Sequence, residues 1–162
     1  MRVVSNTSPL SNLAIIGRLD LVREQLGIVV IPPAVEAELS RNPRTEARAA
    51  LAAAMREGWI RVTPLTGAVD AELMRALDLG EAEALSLALE IKAGLVLLDE
   101  SAARFEAAKL GLPHTGVLGI LRRARQTGHI PSLKAEIQRL RYEAGFFINP
   151  ALERTLLISI GE

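Results

Sequence analysis

Cysteine is absent from the 162 residues. Its absence excludes disulfides, zinc–thiolate sites and thiol nucleophiles, and it suits a reducing compartment. Histidine occurs only at His114 and His129, too few for a histidine-rich metal site. Aromatic residues make up 3% of the chain, so Ala, Leu, Ile and Val have to build the core. No apolar run reaches the length of a membrane span. The first residues read as a strand, with no basic segment ahead of an apolar run, so a soluble cytoplasmic protein without a membrane partner is expected. Neither G-x-G-x-x-G nor G-x-x-x-x-G-K-[ST] occurs, and there is no G-x-S-x-G elbow. Nucleotide cofactors and elbow-type serine nucleophiles are therefore unsupported.

What is present is the composition of a folded domain. Hydrophobic residues account for 49% and charged residues for 23%, and a chain of this length can bury a substantial core as one domain. The formal net charge is zero but unevenly spread. Residues 70–106 carry nine acids against three bases, whereas residues 121–141 carry six bases against the single acid Glu136. Such segregation fits solvated helix faces, and it fits equally an acidic cleft beside a basic rim.

Short runs of branched residues predict strands at 2–5, 28–31, 60–63 and 95–98, with a weaker one at 114–115. Helical patterns predict helices at 10–26, 33–40, 45–57, 68–76, 81–93, 101–110, 117–127 and 132–144. Strands alternating with helices imply βαβ units and a parallel sheet covered on both faces, an α/β fold. Pro33 suits a first helical position. Gly94 and Gly111 follow helical stretches as C-terminal glycines do. Asn149 and Pro150 suit the start of a last short helix. The single domain is expected to span 1–162, with 131–162 as a C-terminal helical extension.

Ligands of an open parallel sheet bind beyond the carboxyl ends of its strands. Asn6, Thr7 and Ser8 end the first strand in "VVSNTSPL", where a plain turn would carry Gly. Glu38 lies in the helix after the second strand, in "PPAVEAEL". Glu81 and Glu83 open a helix in "LGEAEALSLALE", and Asp99 and Glu100 end a strand in "GLVLLDE". Together these would make a pocket of oxygen ligands, which suits Mg²⁺ or Mn²⁺. Each also has a plainer role. Acids favour a first helical turn, Asp99 suits a cap for the helix from Ser101, and Ser5, Asn6 or Ser8 suits a cap for the helix near Leu10. A helical wheel leaves Glu36 and Glu38 on opposite flanks of the apolar stripe and does not choose between them.

The blocks "VVSNTSPLSNLAIIGRLDLV", "IVVIPPAVEAEL", "LGEAEALSLALEIKAGLVLLDESAARFEAAKLGL" and "TGVLGILRRARQTGHIP" resemble the PIN-domain ribonucleases. The closest likeness is to a prokaryotic branch related to VapC-type toxins, and it runs from about residue 3 to residue 130. The resemblance implies an α/β/α sandwich with a mainly parallel sheet. It also implies carboxylates that hold Mg²⁺ or Mn²⁺ and direct a water at an RNA phosphodiester. Carried over residue by residue, the four family acids fall at Asn6, Glu38, Glu83 and Asp99, with Glu81 a rival to Glu83 and Glu100 a rival to Asp99. Thr7 and Ser8 match the hydroxyls that orient the first acid. Asn6 departs from the usual Asp: it keeps an oxygen ligand and loses a charge, which weakens metal binding.

Two functions follow as expectations. One is a metal-dependent endoribonuclease, a candidate toxin of a toxin–antitoxin pair with a small antitoxin protein as partner, in which Arg122, Arg123 and Arg125 contact RNA phosphates. The other is a catalytically silent PIN-like module that binds RNA or a protein partner. A phosphoryl-accepting receiver domain is a third, disfavoured by the lack of paired acids at the first strand end. The apolar "AGFFI" and "ALERTLLISI" segments lead us to expect a homodimer.

Overall fold

In the computed structural model, which describes all 162 residues, five short strands form one sheet. They are β1 (Val3–Ser5), β2 (Val29–Ile31), β3 (Ile60–Val62), β4 (Leu95–Leu97) and β5 (His114–Thr115). Ten helices surround them: α1 (Thr7–Ile15), α2 (Asp20–Leu26), α3 (Pro33–Ser40), α4 (Thr45–Glu57), α5 (Ala71–Ala76), α6 (Leu79–Glu90), α7 (Ser101–Lys109), α8 (Val117–Gln126), α9 (Leu133–Glu143) and α10 (Pro150–Ser159). The strand order is β3-β2-β1-β4-β5 and every pairing is parallel. The chain builds outward from β1 through β2 to β3, then crosses back to lay β4 on the other side of β1. That reversal is the topological switch point, where open parallel sheets bind ligands.

Side chains alternate across the sheet, and each set meets its own helices. Val3, Val29, Ile31 and Leu97 join a core of 27 buried residues with α1 to α4, α8 and α9. Val4, Val96 and Leu98 join a second core of 13 with α5, α6 and α7. The result is a three-layer α/β/α sandwich, thicker on one side. Leu133, Ile137 and Leu140 of α9 belong to the larger core. Helix α10 packs more lightly, with no fully buried residue.

Several element ends differ from the sequence pattern for local reasons. The helix predicted at 10–26 is two helices, because the chain turns at Gly17, whose φ is +70°. The segment predicted at 68–76 begins at Ala71, where Asp70 accepts from the Glu72 and Leu73 amides at 2.9 and 3.1 Å. The helix predicted at 81–93 begins at Leu79, because Asp78 and Glu81 form a reciprocal capping box. Gly111 takes the left-handed conformation expected of it, but Gly94 does not; Lys92 adopts that role, with φ of 53°. The exposed Met1 side chain lies over Gly94, where a Cβ would have to push it aside. Pro33 opens α3, and Asn149 caps α10 through the Ala151 and Leu152 amides. No helix is long and apolar enough to cross a membrane.

Candidate active site

Strands β1 and β4 end side by side at the switch point, and their next residues supply the centre of the site. The Asn6 amide donates to the Leu97 carbonyl at 3.0 Å, which prolongs the β1–β4 ladder by one step and holds Asn6 only 3% exposed. Asn6 is the N-cap residue of α1 by position, but its side chain caps nothing. It turns instead toward Glu100, whose Oε2 accepts from Nδ2 at 3.4 Å. The Ser8 hydroxyl donates to the other oxygen of Glu100. Thr7 Oγ1 is buried without a partner.

Asp99 follows β4 by two residues and its side chain is 7% exposed. It does not cap α7, which begins at Ser101. Oδ1 accepts from the Val117 amide at 3.0 Å, at the first turn of α8, and lies 3.9 Å from Arg104 Nη2. Oδ2 is buried and unpartnered. Burial pushes the Asp99 carboxyl up to about 6; the neighbouring Glu100 charge adds to the rise, and the Val117 amide, Arg104 and the nearby Asn12 side chain oppose it. A Cβ on Gly116 would collide with both Asp99 Oδ1 and Arg104 Nη2. A glycine there lets two charged groups lie against the backbone.

The remaining acids come from the helices that start at this edge. Glu38 of α3 leans over Gly80, near the start of α6. A Cβ on Gly80 would collide with Glu38 Oε1 and lie 3.6 Å from Asn6 Oδ1, so both side chains border one small space. Glu81 is 7% exposed, and its Oε1 accepts from the Asp78 amide at 3.2 Å. Burial, its contact with the Asp78 carboxylate and the charges of Asp78 and Glu100 push Glu81 up to about 7. Glu83 is engaged elsewhere: Oε2 accepts from the Ala34 amide at 2.8 Å and caps the start of α3.

Asn6, Glu38, Glu81, Glu83, Asp99 and Glu100 therefore share the carboxyl edge of the sheet but differ in what they hold. Their oxygens are hard donors of the kind Mg²⁺ and Mn²⁺ prefer, one of them is a buried orphan, and Gly80 lets the Glu38 carboxylate lie against the start of α6 near Asn6. No three acidic side chains converge closely enough to form an all-protein cage.

The arginines divide differently from expectation. Helix α8 starts beside Asp99 and runs away from the edge, so Arg122 and Arg125 stand about 8 and 12 Å along it from Val117. Arg125 Nε is bound to Glu162 at 3.2 Å, Arg123 is exposed, and Arg122 has a buried, unpartnered Nε. The arginine at the site is Arg104, which the sequence reading passed over. Its one signal is its position a helical turn beyond Asp99 and Glu100.

An α/β sandwich with acids gathered over the switch point of a parallel sheet defines the class. A family model described as a PIN domain matches residues 2–162, and the chain belongs to that family, a nuclease fold. No curated protein matches it.

Proposed function

We propose that the chain is a divalent-metal-dependent endoribonuclease acting at the β1–β4 switch point. The observation that carries this reading is Asp99 Oδ2, a buried carboxylate oxygen without a partner. Arg104 and the Val117 amide serve Oδ1, and a buried carboxylate oxygen left without a partner is costly, which favours a further donor or cation at Oδ2. Glu38 and Asp99, with the neutral Asn6 oxygen, are the residues that would hold Mg²⁺ or Mn²⁺. Such an ion activates a water and offsets charge on the phosphodiester. Burial pushes the Glu81 carboxyl up to about 7, which makes it the acid of this edge best suited to exchange a proton near neutral pH. Glu83 acts one step back, fixing the first turn of the helix that carries Glu38. The exposed Arg123 is the member of the arginine cluster freest to meet a phosphate. By family resemblance the proposal extends to a toxin held in check by a small antitoxin protein. The exposed Phe147 and Ile158 support a homodimer.

Mn²⁺-dependent cleavage of a structured RNA tests the proposal. Asp99→Asn and Glu38→Gln are each expected to abolish it, and full activity in both variants overturns it. Asn6 favours a second reading, the catalytically silent RNA-binding module. Its amide meets Glu100 as a donor where Asp would meet it as a like charge, which lets the edge assemble without an ion. RNA binding without cleavage at any Mn²⁺ concentration would select that reading.

A further inference from the structure

A groove of about 270 Å³ opens next to Asp99, on the side away from Glu38's helix in the chain order of the sheet. Its lining includes Arg104, His114, Thr115, Gly119, Leu152 and Leu156. Arg104 is anchored by Nε to the Leu98 carbonyl at 3.0 Å, and its Nη2 stands 3.9 Å from Asp99. Nε is thus used in the anchor and Nη2 faces Asp99, which leaves the Nη1 donors to bind an anion. His114 Nδ1 is engaged with the Leu112 carbonyl at 3.1 Å, which fixes the ring and frees Nε2. Thr115 adds a hydroxyl. Leu152 and Leu156, from α10, add aliphatic surface. Gly119 has no side chain to fill the space, and a Cβ there would run into Thr115 Oγ1.

A guanidinium, a ring nitrogen, a hydroxyl and two apolar side chains match the parts of one nucleotide: a phosphate, a base edge and a base face. The volume falls just below the roughly 300–1,000 Å³ of drug-sized pockets, so it suits one nucleotide rather than a strand. We infer that this groove is a nucleotide subsite, holding one base of a bound RNA with Arg104 on the phosphate beside it. The inference rests on the reading of the neighbouring edge as a site that handles RNA. It makes Arg104 a phosphate-binding residue and α10 a determinant of base preference.

The four nucleoside 5′-monophosphates, and inorganic phosphate as control, would be titrated into the full-length protein by amide NMR without metal. Shifts are expected at Thr115, Gly119 and Leu152, ranked by base, and weakened about tenfold in Leu152→Glu by like-charge repulsion. Leu152→Ala guards against misfolding and is expected to weaken binding in the same ranking. Shifts reproduced in full by inorganic phosphate, or absent from the groove, overturn the subsite. RNA cleavage without groove shifts would leave the nuclease reading and remove this one. Groove shifts in a protein that cleaves no RNA would do the opposite.

Discussion

Gly80→Ala should separate stability from activity. Gly80 is the second residue of α6, and Ala is the better helix former by about 1 kcal/mol in a helix interior and by roughly half that in a first turn. Against that gain stands the new methyl, which collides with Glu38 Oε1. The obstructing atom is the end of a half-buried, flexible side chain. Glu38 can turn aside at a cost of about 0.5–1.5 kcal/mol if it leaves a rotamer well, and less if it finds another. The net change is within about 1 kcal/mol, or about 2–4 °C in Tm for a domain of this size. The site fares differently. The methyl takes the space that Glu38 and Asn6 border, and the carboxylate leaves it. Mn²⁺ affinity should fall by about 10–100-fold, the scale seen when a metal site loses a well-placed partner, and RNA cleavage should fall with it. Thermal melts, Mn²⁺ calorimetry and a cleavage assay read the three quantities on one preparation. In a Gly80→Ala, Glu38→Gln double variant the second change should add almost nothing, because both remove the same group. Wild-type Mn²⁺ affinity and cleavage in Gly80→Ala would refute the assignment of Glu38 to the site.

Asn6→Asp should lower the stability of the metal-free protein, because it sets a carboxylate against Glu100, and should tighten Mn²⁺ binding in calorimetry; no change in either would remove Asn6 from the metal site. Asp99 titrates at about 6 in the folded protein against an ordinary 3.8, so the folded state binds the extra proton and stability falls as pH rises through that window. Asp99→Asn removes that loss, and in EDTA it should be more stable than the parent at pH 7 by up to about 3 kcal/mol, with little difference near pH 3. A less stable Asp99→Asn at pH 7 in urea titrations would contradict it. Glu136 is buried and accepts from Arg18 at 2.7 and 3.1 Å and from Arg139 at 3.4 Å, so Glu136→Gln should cost about 1–2 kcal/mol by thermal melt, reduced from the fully buried case because Arg18 is partly exposed. A loss below about 0.5 kcal/mol would make that pair incidental.

The strands were legible because both faces of the sheet are covered, so "VLL" and "VVI" read as unbroken apolar runs. Their order was not, because nothing local says that β4 returns to the far side of β1. Two helix boundaries were misplaced although their signals are local: the Asp78-x-x-Glu81 capping box starts at 79 a helix expected at 81, and Gly17 splits the run expected at 10–26. The edge on which Asn6, Glu38, Glu83 and Asp99 lie follows from parallel topology and was readable in advance. What each acid binds there was not. Asp99 serves the start of α8, eighteen residues on, because β5 brings that turn alongside β4. Glu83 serves α3, forty-nine residues back. Such partners depend on which strands are neighbours, and Arg104 stayed unnoticed for the same reason.

The two unequal cores give the site a mechanical meaning. Asn6 and Glu38 ride on elements rooted in the 27-residue layer, while Glu81 and Glu83 ride on α6, rooted in the 13-residue layer. The acidic edge is thus a seam, and it exists only while both layers are docked on the sheet. The thinner layer has less buried surface to hold it and should open first, so its amides should exchange with solvent faster than those of α9. A cation held by Asn6 and Glu38 on one layer and by Asp99, just ahead of α7, on the other would act as a rivet, slowing exchange in α7 and leaving α9 untouched. Ion binding and closure of the thin layer would then be one equilibrium viewed from two sides.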